Sequence, residues 1–125
     1  MPLEGQIDEQ DEIPGHLRDA AKDMGLFGFA IPQAYGGLGL SMLQESRLVI
    51  ELGYTTPALR SMFGTNNGIA GHVLLIGGTE EQKLEWLPRI ASGEVIASFA
   101  LTEPEAGSDP SDLSTRARLD GAARG

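Results

Sequence analysis

The sequence predicts a mainly helical domain followed by the first strands of an incomplete β domain. Three observations support this fold class. Apolar residues recur at helical spacing as far as about residue 91, two segments begin with a capping box, and from residue 95 the apolar residues alternate with a period of two. We therefore divide the chain into a helical N-terminal domain, residues 1–94, and the beginning of a β domain, residues 95–125.

The composition is that of a folded protein. The 125 residues are 41% hydrophobic and 22% charged, which suits one ordinary domain, or one small domain with the beginning of another. The formal net charge is −9, from 18 acidic residues against 9 Lys and Arg. Because this charge repels a polyanion, we expect no nucleic-acid partner.

Residues with redox or metal chemistry are scarce. The sequence has no cysteine, which excludes disulfides and thiolate metal sites. His16 and His72 are not spaced as metal ligands, so we expect no metal site. No apolar run is long enough to cross a membrane, and the acidic start has no apolar segment of the secretory type. The sequence therefore predicts a cytoplasmic protein without membrane contact.

The helical part begins after a loose acidic lead-in, residues 1–10. One apolar face predicts a first helix over residues 14–24, and Gly25 can adopt the left-handed conformation that ends it. A turn-rich connection that contains Pro32 follows, and its aromatic side chains can cover the helix ends.

Two capping boxes mark later helix starts. In each, a hydroxyl residue is followed three residues later by a glutamine, and the two side chains bond to backbone N–H groups that lack a helical partner. Ser41 with Gln44 predicts a helix over residues 42–52. Thr79 with Gln82 predicts the last helix of the domain.

Proline and glycine mark the remaining boundaries. Pro57 opens a third helix over residues 58–76, and the stretch GTNNG at residues 64–68 weakens or bends its middle. Pro88 kinks or shortens the last helix, and Gly93 closes it.

Aromatic residues in the helical part are interpreted as core or interface packing. They are Phe27, Phe29, Tyr35 and Trp86. His72 lies in an apolar stretch, so we interpret it as a packed, hydrogen-bonded residue rather than a base.

The β part begins with an alternating apolar segment. VIASFALT, residues 95–102, predicts a strand. SDPSDLS then predicts one capped turn, and TRARLDG, residues 115–121, predicts a second strand. Because a lone hairpin is marginal in water, these strands would need further strands to form a stable sheet.

The stretch FALTEPEAGSD, residues 99–109, is the candidate binding segment. Small side chains beside Thr102 let a flat ring approach the backbone, and a positive φ at Gly107 would direct successive N–H groups into one concavity. Ser108 and Asp109 stand at the predicted start of a helical turn, where phosphate can bind. The same residues also suit an ordinary loop, and spacing alone does not decide between the two.

Three motifs together resemble the acyl-CoA dehydrogenase family. ASFALTEPEAGSD is similar to the family signature, while MGLFGFAIPQAYGGLGLS and GTEEQKLEWLPRIASGE are similar to two other family segments. They stand in the family's order and spacing, and the resemblance around them extends over residues from about 12 to 121. The resemblance implies the family's N-terminal helical domain followed by the truncated beginning of its flavin-binding β domain, residues 95–125.

The resemblance implies an FAD-dependent oxidoreductase that oxidises the α,β bond of acyl-CoA thioesters. It also implies electron-transfer flavoprotein as the acceptor and a homo-oligomeric full-length protein. In the family, a glutamate removes the α-proton while a β-hydride passes to the flavin. No position here matches that glutamate, so we expect no catalytic residue in this chain and no turnover by the chain alone.

The resemblance also assigns flavin contacts. They are Phe99, Ala100, Leu101, Thr102, Gly107 and Ser108. The first two would form a wall of the ring site, the next two would approach the ring, and the last two would lie near the pyrophosphate. The Thr102 hydroxyl would bond near flavin N5, and Ser108 would also face the acyl-CoA substrate. Glu105 stands where the family often has glycine, and we expect its side chain to point outward.

A second interpretation remains open. The chain could be a non-catalytic helical interaction module, or a truncated gene product that kept the scaffold. A bound flavin spectrum that is bleached by an acyl-CoA would separate the enzyme from these alternatives.

Overall fold

The computed structural model describes residues 12–118 together with residues 5, 7 and 9, which are helical. The α-helices that follow are α1, Gly15–Asp23; α2, Met42–Leu52; α3, Pro57–Thr65; α4, His72–Gly77; and α5, Glu80–Ala91. A π-helical turn, Asn66–Gly71, joins α3 to α4. Short 3-10 turns cover Leu26–Gly28, Gln33–Tyr35 and Pro110–Asp112. The mainly helical fold class is confirmed.

Both predicted capping boxes are formed. The Ser41 N–H donates to the Gln44 carboxamide oxygen at 2.8 Å, and the Thr79 N–H donates to that of Gln82 at 2.9 Å. The Thr79 hydroxyl in turn accepts the Gln82 N–H at 3.3 Å. The helices α2 and α5 therefore begin where the sequence placed them.

The end of α5 differs in part from the prediction. Pro88 lies inside the helix, which continues to Ala91, so the proline does not shorten it. Gly93 then has φ 71°, the left-handed conformation that ends a helix. A Cβ at Gly93 would lie 2.8 Å from the Phe27 ring, so the close packing there also requires glycine.

The core consists of two clusters of buried side chains. The first contains Ala21, Leu26, Phe27, Phe29 and Phe63, and the second contains Ile31, Leu87, Ile90 and Ala91. Phe27 and Phe63 meet edge to face, with ring centroids 6.0 Å apart and planes at 75°. Tyr35 and Trp86 are partly buried against the second cluster. The packing role predicted for the aromatic residues is confirmed, whereas His72 is exposed rather than packed.

The predicted bend between α3 and α4 is the π-helical turn. It buries Asn67, whose carboxamide NH2 donates to the Leu26 carbonyl at 2.8 Å and to the Phe63 carbonyl at 3.0 Å. The Asn67 oxygen accepts the Ala30 N–H at 2.9 Å. This side chain therefore fixes the connection after α1 against α3.

Two further predictions from the sequence were wrong. The lead-in is not loose throughout, because residues 5, 7 and 9 are helical and Ile7 is buried. Residues 95–102 and 115–118 form no strand within the described part of the chain, while residues 119–121 of the second predicted strand lie outside it. A strand requires a neighbour to complete its backbone hydrogen bonds, and the apolar alternation does not supply one.

Among the described residues, no helix is long and apolar enough to cross a bilayer.

Candidate binding segment and family comparison

The candidate segment leaves the helical domain at a buried asparagine. Asn66 is 0% exposed, and its NH2 group donates to the carbonyls of Ile90 at 3.1 Å and Val95 at 2.9 Å. Its oxygen accepts the Ala97 N–H at 2.8 Å. The chain is therefore fixed to the end of α5 and to the π-helical turn just before the candidate residues begin.

Residues 98–102 run over the surface without backbone pairing. Phe99 is 57% exposed, Ala100 and Thr102 are exposed, and Leu101 is partly buried. The backbone N–H groups of residues 98–102 have no hydrogen-bond partner within residues 12–118. Most side chains of this segment are exposed and its N–H groups are unpaired within the described residues, so a planar ligand can reach the segment and the Thr102 hydroxyl.

A carboxylate closes the loop that follows. The Glu103 N–H donates to the Ala106 carbonyl at 2.8 Å. The Glu103 carboxylate accepts the N–H and the hydroxyl of Ser114, each at 2.8 Å, and the Thr115 N–H at 2.8 Å. Hydrogen bonds from Thr115 and Ser114 lower the pKa of Glu103 from 4.5 to about 2, because they stabilise the charged form. The Glu103 carboxylate thus holds the loop closed against residues 114 and 115.

The predicted capped turn is formed inside this loop. The Asp109 carboxylate accepts the Ser111 N–H at 3.0 Å and the Ser111 hydroxyl at 2.7 Å, which lowers the pKa of Asp109. The predicted positive φ at Gly107 is wrong, since Gly107 has no left-handed backbone. The turn is made instead by the Glu103–Ala106 bridge and by Asp109, so the concavity expected from a left-handed glycine does not form at Gly107.

The candidate residues come together only in part. Thr102 and Gly107 are neighbours, because a Cβ built on Gly107 would lie 3.8 Å from the Thr102 methyl carbon. Ser108 follows Gly107 and is exposed, as is the side chain of Glu105. The outward orientation expected for Glu105 agrees with this exposure.

An apolar groove adjoins the segment. It has a volume of about 390 Å³. One wall is formed by the π-helical turn and α4, a second by α5, and a third by residues 95–99. Ile69, Val73 and Trp86 line it together with Ser98 and Phe99. The Arg89 guanidinium lies 5.0 Å from the Trp86 ring centroid, within the range of a cation–π contact. The groove was not predicted from the sequence, since its walls come from separate elements.

Comparison with known proteins identifies the family of this chain. Residues 1–94 match the family described as "Acyl-CoA dehydrogenase, N-terminal domain". The chain belongs to the acyl-CoA dehydrogenase family.

Similar acyl-CoA dehydrogenases come from bacteria and mammals. The chain is 42% identical over 109 residues to (2S)-methylsuccinyl-CoA dehydrogenase of Cereibacter sphaeroides. The aligned region covers 87% of this chain and 20% of that protein. The chain is 38% identical over 109 residues to the mitochondrial very long-chain specific acyl-CoA dehydrogenase of Rattus norvegicus, covering 87% and 16%. An acyl-CoA dehydrogenase of Bacillus subtilis is 32% identical over 111 residues, covering 89% and 29%. The chain therefore spans less than a third of the length of these relatives.

Proposed function

We propose that this chain supplies the N-terminal helical part and one wall of the flavin site of an FAD-dependent acyl-CoA dehydrogenase. The reaction of the whole protein would be α,β-dehydrogenation of an acyl-CoA. Membership of the family carries the proposal, and the exposed edge at residues 98–102 supports the location of the flavin wall. The division into a helical domain, residues 1–94, and a flavin-binding β part from residue 95 belongs to the same proposal.

The backbone at residues 98–102 suits the polar edge of a flavin ring. A ring that carries carbonyl and imine acceptors needs N–H or O–H donors, and this edge offers unpartnered N–H groups within the described residues and the exposed Thr102 hydroxyl. Leu101 and Thr102 would approach the ring, while Phe99 and Ala100 would form the adjoining wall. FAD, when bound, supplies the acceptor for the substrate hydride. The chain's own part is to orient the ring and to exclude water from one side of it.

The pyrophosphate would lie near Gly107 and Ser108. No Lys or Arg occurs between residues 90 and 115, and Glu105 and Asp109 add negative charge to the same loop. Within this chain, phosphate binding would therefore depend on the N–H groups of the loop and the Ser108 hydroxyl. For this reason we expect the chain alone to bind FAD weakly.

The groove beside Phe99 suits the acyl part of the substrate. Its lining side chains are mainly apolar, so an alkyl chain could lie there with little loss of polar hydration. Ser108 is the residue proposed to face the substrate.

Three ligands test the flavin assignment by backbone NMR of the 125-residue chain. FAD should shift the amides of residues 99–102 and 107–108, riboflavin only the first group, and ADP only the second. Thr102→Val should weaken the response to riboflavin, while Thr65→Val, a matched change at the end of α3 and outside the proposed site, should not. Absence of shifts at millimolar FAD, or shifts spread over the helices, would contradict the flavin site.

Two further measurements test the substrate and the alternative function. Butyryl-CoA should shift the Ile69 and Val73 methyl signals, whereas CoA without the acyl chain should not. A non-catalytic helical module would respond to neither. Electron-transfer flavoprotein as acceptor, homo-oligomer formation by the full-length protein and a cytoplasmic location are parts of the same proposal. A reduction assay with electron-transfer flavoprotein, sedimentation and cell fractionation test them in turn.

A further inference from the structure

We infer that Asn66 is a positioning residue that sets the edge of the chain presented to the flavin. This inference rests on the proposed function. The observation behind it is the pattern of hydrogen bonds around one side chain: the Asn66 carboxamide donates to the Val95 carbonyl and accepts from the Ala97 N–H. These two backbone groups flank Ile96.

This pattern is the one that a peptide group of a neighbouring parallel strand would make. In a parallel ladder, the N–H of one residue donates to the carbonyl of the residue that precedes the one opposite it. Its carbonyl accepts the N–H of the residue that follows the one opposite. Asn66 therefore replaces a partner strand at one position. Successive residues of an extended chain direct their backbone groups to opposite edges. The two bonds from Asn66 therefore determine which edge of the chain faces the helices, and which faces away, as it enters residues 98–102.

The Asn66 side chain is itself held by burial and by a further hydrogen bond to the helical domain. Asn66 is 0% exposed and its NH2 group also donates to the Ile90 carbonyl at the end of α5. All its polar atoms have partners, and no buried side-chain polar atom in the described residues lacks one. At the other end of the segment, Glu103 fastens the loop through Ser114 and Thr115. Residues 98–102 are thus fixed at both ends and open between them.

The adjacent asparagine provides a matched control. Asn67 is 4% exposed in the same π-helical turn and accepts the Ala30 N–H at 2.9 Å, as Asn66 accepts the Ala97 N–H at 2.8 Å. Each side chain therefore protects one identifiable amide, and only one of these amides lies next to the candidate segment.

Amide hydrogen exchange of the 125-residue chain tests the inference. In Asn66→Ser, exchange at Ala97 should become about tenfold faster, which corresponds to about 1.4 kcal/mol, and the amide shifts of residues 98–102 should move, while Ala30 is unchanged. In Asn67→Ser, exchange at Ala30 should rise by a similar factor while Ala97 is unchanged. Equal changes at both amides in both variants would show a loss of general stability and would overturn the inference.

A measurement on the unaltered chain covers the case in which a variant does not fold. The Ala97 amide should exchange at least about tenfold more slowly than the amides of residues 98–102, since it alone has a buried acceptor. Equal exchange rates at Ala97 and at residues 98–102 would overturn the proposed role of Asn66. FAD-dependent shifts at residues 99–102 should weaken in Asn66→Ser and persist in Asn67→Ser. If the unaltered chain shows no FAD response, the proposed function fails, and the exchange result still decides the anchoring role.

Discussion

Gly28 and Ala91 lie so close together that a Cβ on Gly28 would be 2.6 Å from the Ala91 Cβ and 2.7 Å from its Cα. Gly28 belongs to the buried 3-10 turn after α1, and Ala91 is the last residue of α5. Because the obstructing atoms include backbone, no side-chain rotation relieves the contact. This pair brings the connection after α1 against the helix from which the candidate segment departs.

We expect Gly28→Ala to destabilise the chain by about 1–3 kcal/mol, the range for overpacking a dense core. Urea unfolding followed by circular dichroism measures the change. Gly77→Ala is the matched control, because a Cβ there meets no atom within 4 Å, and it should be neutral. Equal stability of the two variants would contradict the close packing.

The Phe27 and Phe63 pair should show coupling beyond the area each ring buries. Both rings are almost wholly buried, at 0% and 1% exposure, and they meet edge to face. Each change to Leu should destabilise, and a double-mutant cycle should give a coupling of about 0.5–1.5 kcal/mol. Tyr54→Leu, at a residue that is 79% exposed, should have little effect. Additive losses in the cycle would count against the ring contact.

The loop closed by Glu103 should remain closed in mild acid. Its pKa is lowered from 4.5 to about 2, so the folded form gains stability above the unfolded pKa and loses it as the pH falls through about 2. NMR titration should show the Ser114 and Thr115 amides moving near pH 2. A midpoint near 4.5 would exclude the hydrogen bonds described.

Glu103→Gln should open the same loop at neutral pH. The neutral amide is a weaker acceptor than the carboxylate for the N–H groups of Ser114 and Thr115, so their exchange should quicken. Glu105→Gln is the control, since that side chain is exposed and should leave both amides unchanged. Similar exchange in the two variants would show that Glu103 does not fasten the loop.

Thr79→Ala should destabilise the chain by about 0.5–2 kcal/mol through loss of the helix cap. The Thr79 hydroxyl accepts the Gln82 N–H at the start of α5, and Thr79→Ser keeps that acceptor. The midpoint of thermal unfolding should therefore be clearly lower for Thr79→Ala than for Thr79→Ser. If Ser and Ala are equally destabilising, the methyl group rather than the hydroxyl matters at this position.

Local signals in the sequence predicted the helices well. The boxes at Ser41 and Thr79 and the left-handed glycines at residues 25 and 93 involve neighbours within a few residues, so the pattern carries the whole interaction. The strand over residues 95–102 needed a partner that alternation does not encode, and it did not form. Helix ends that depend on neighbouring residues are thus more predictable than strands, which depend on a distant partner.

The supports of the candidate site could not be predicted in the same way. Asn66 bonds to residues 24, 29 and 31 positions away, and Glu103 bonds to residues 11 and 12 positions away. One usable signal was the pair of consecutive asparagines in an otherwise largely apolar helical stretch. Such residues disfavour a helix interior, so their burial requires distant backbone partners that only the fold provides.

The π-helical turn makes this chain sensitive to deletion in a way that composition does not show. Removing the exposed Gly68 would let the turn close to ordinary α-helical geometry, because a π turn holds about one residue more than an α turn, and would shift the asparagine side chains from the backbone groups that they bond. Substitution at the same position would keep the spacing. Across descendants of this sequence, residue type at position 68 should therefore vary far more freely than the number of residues between Asn66 and α4.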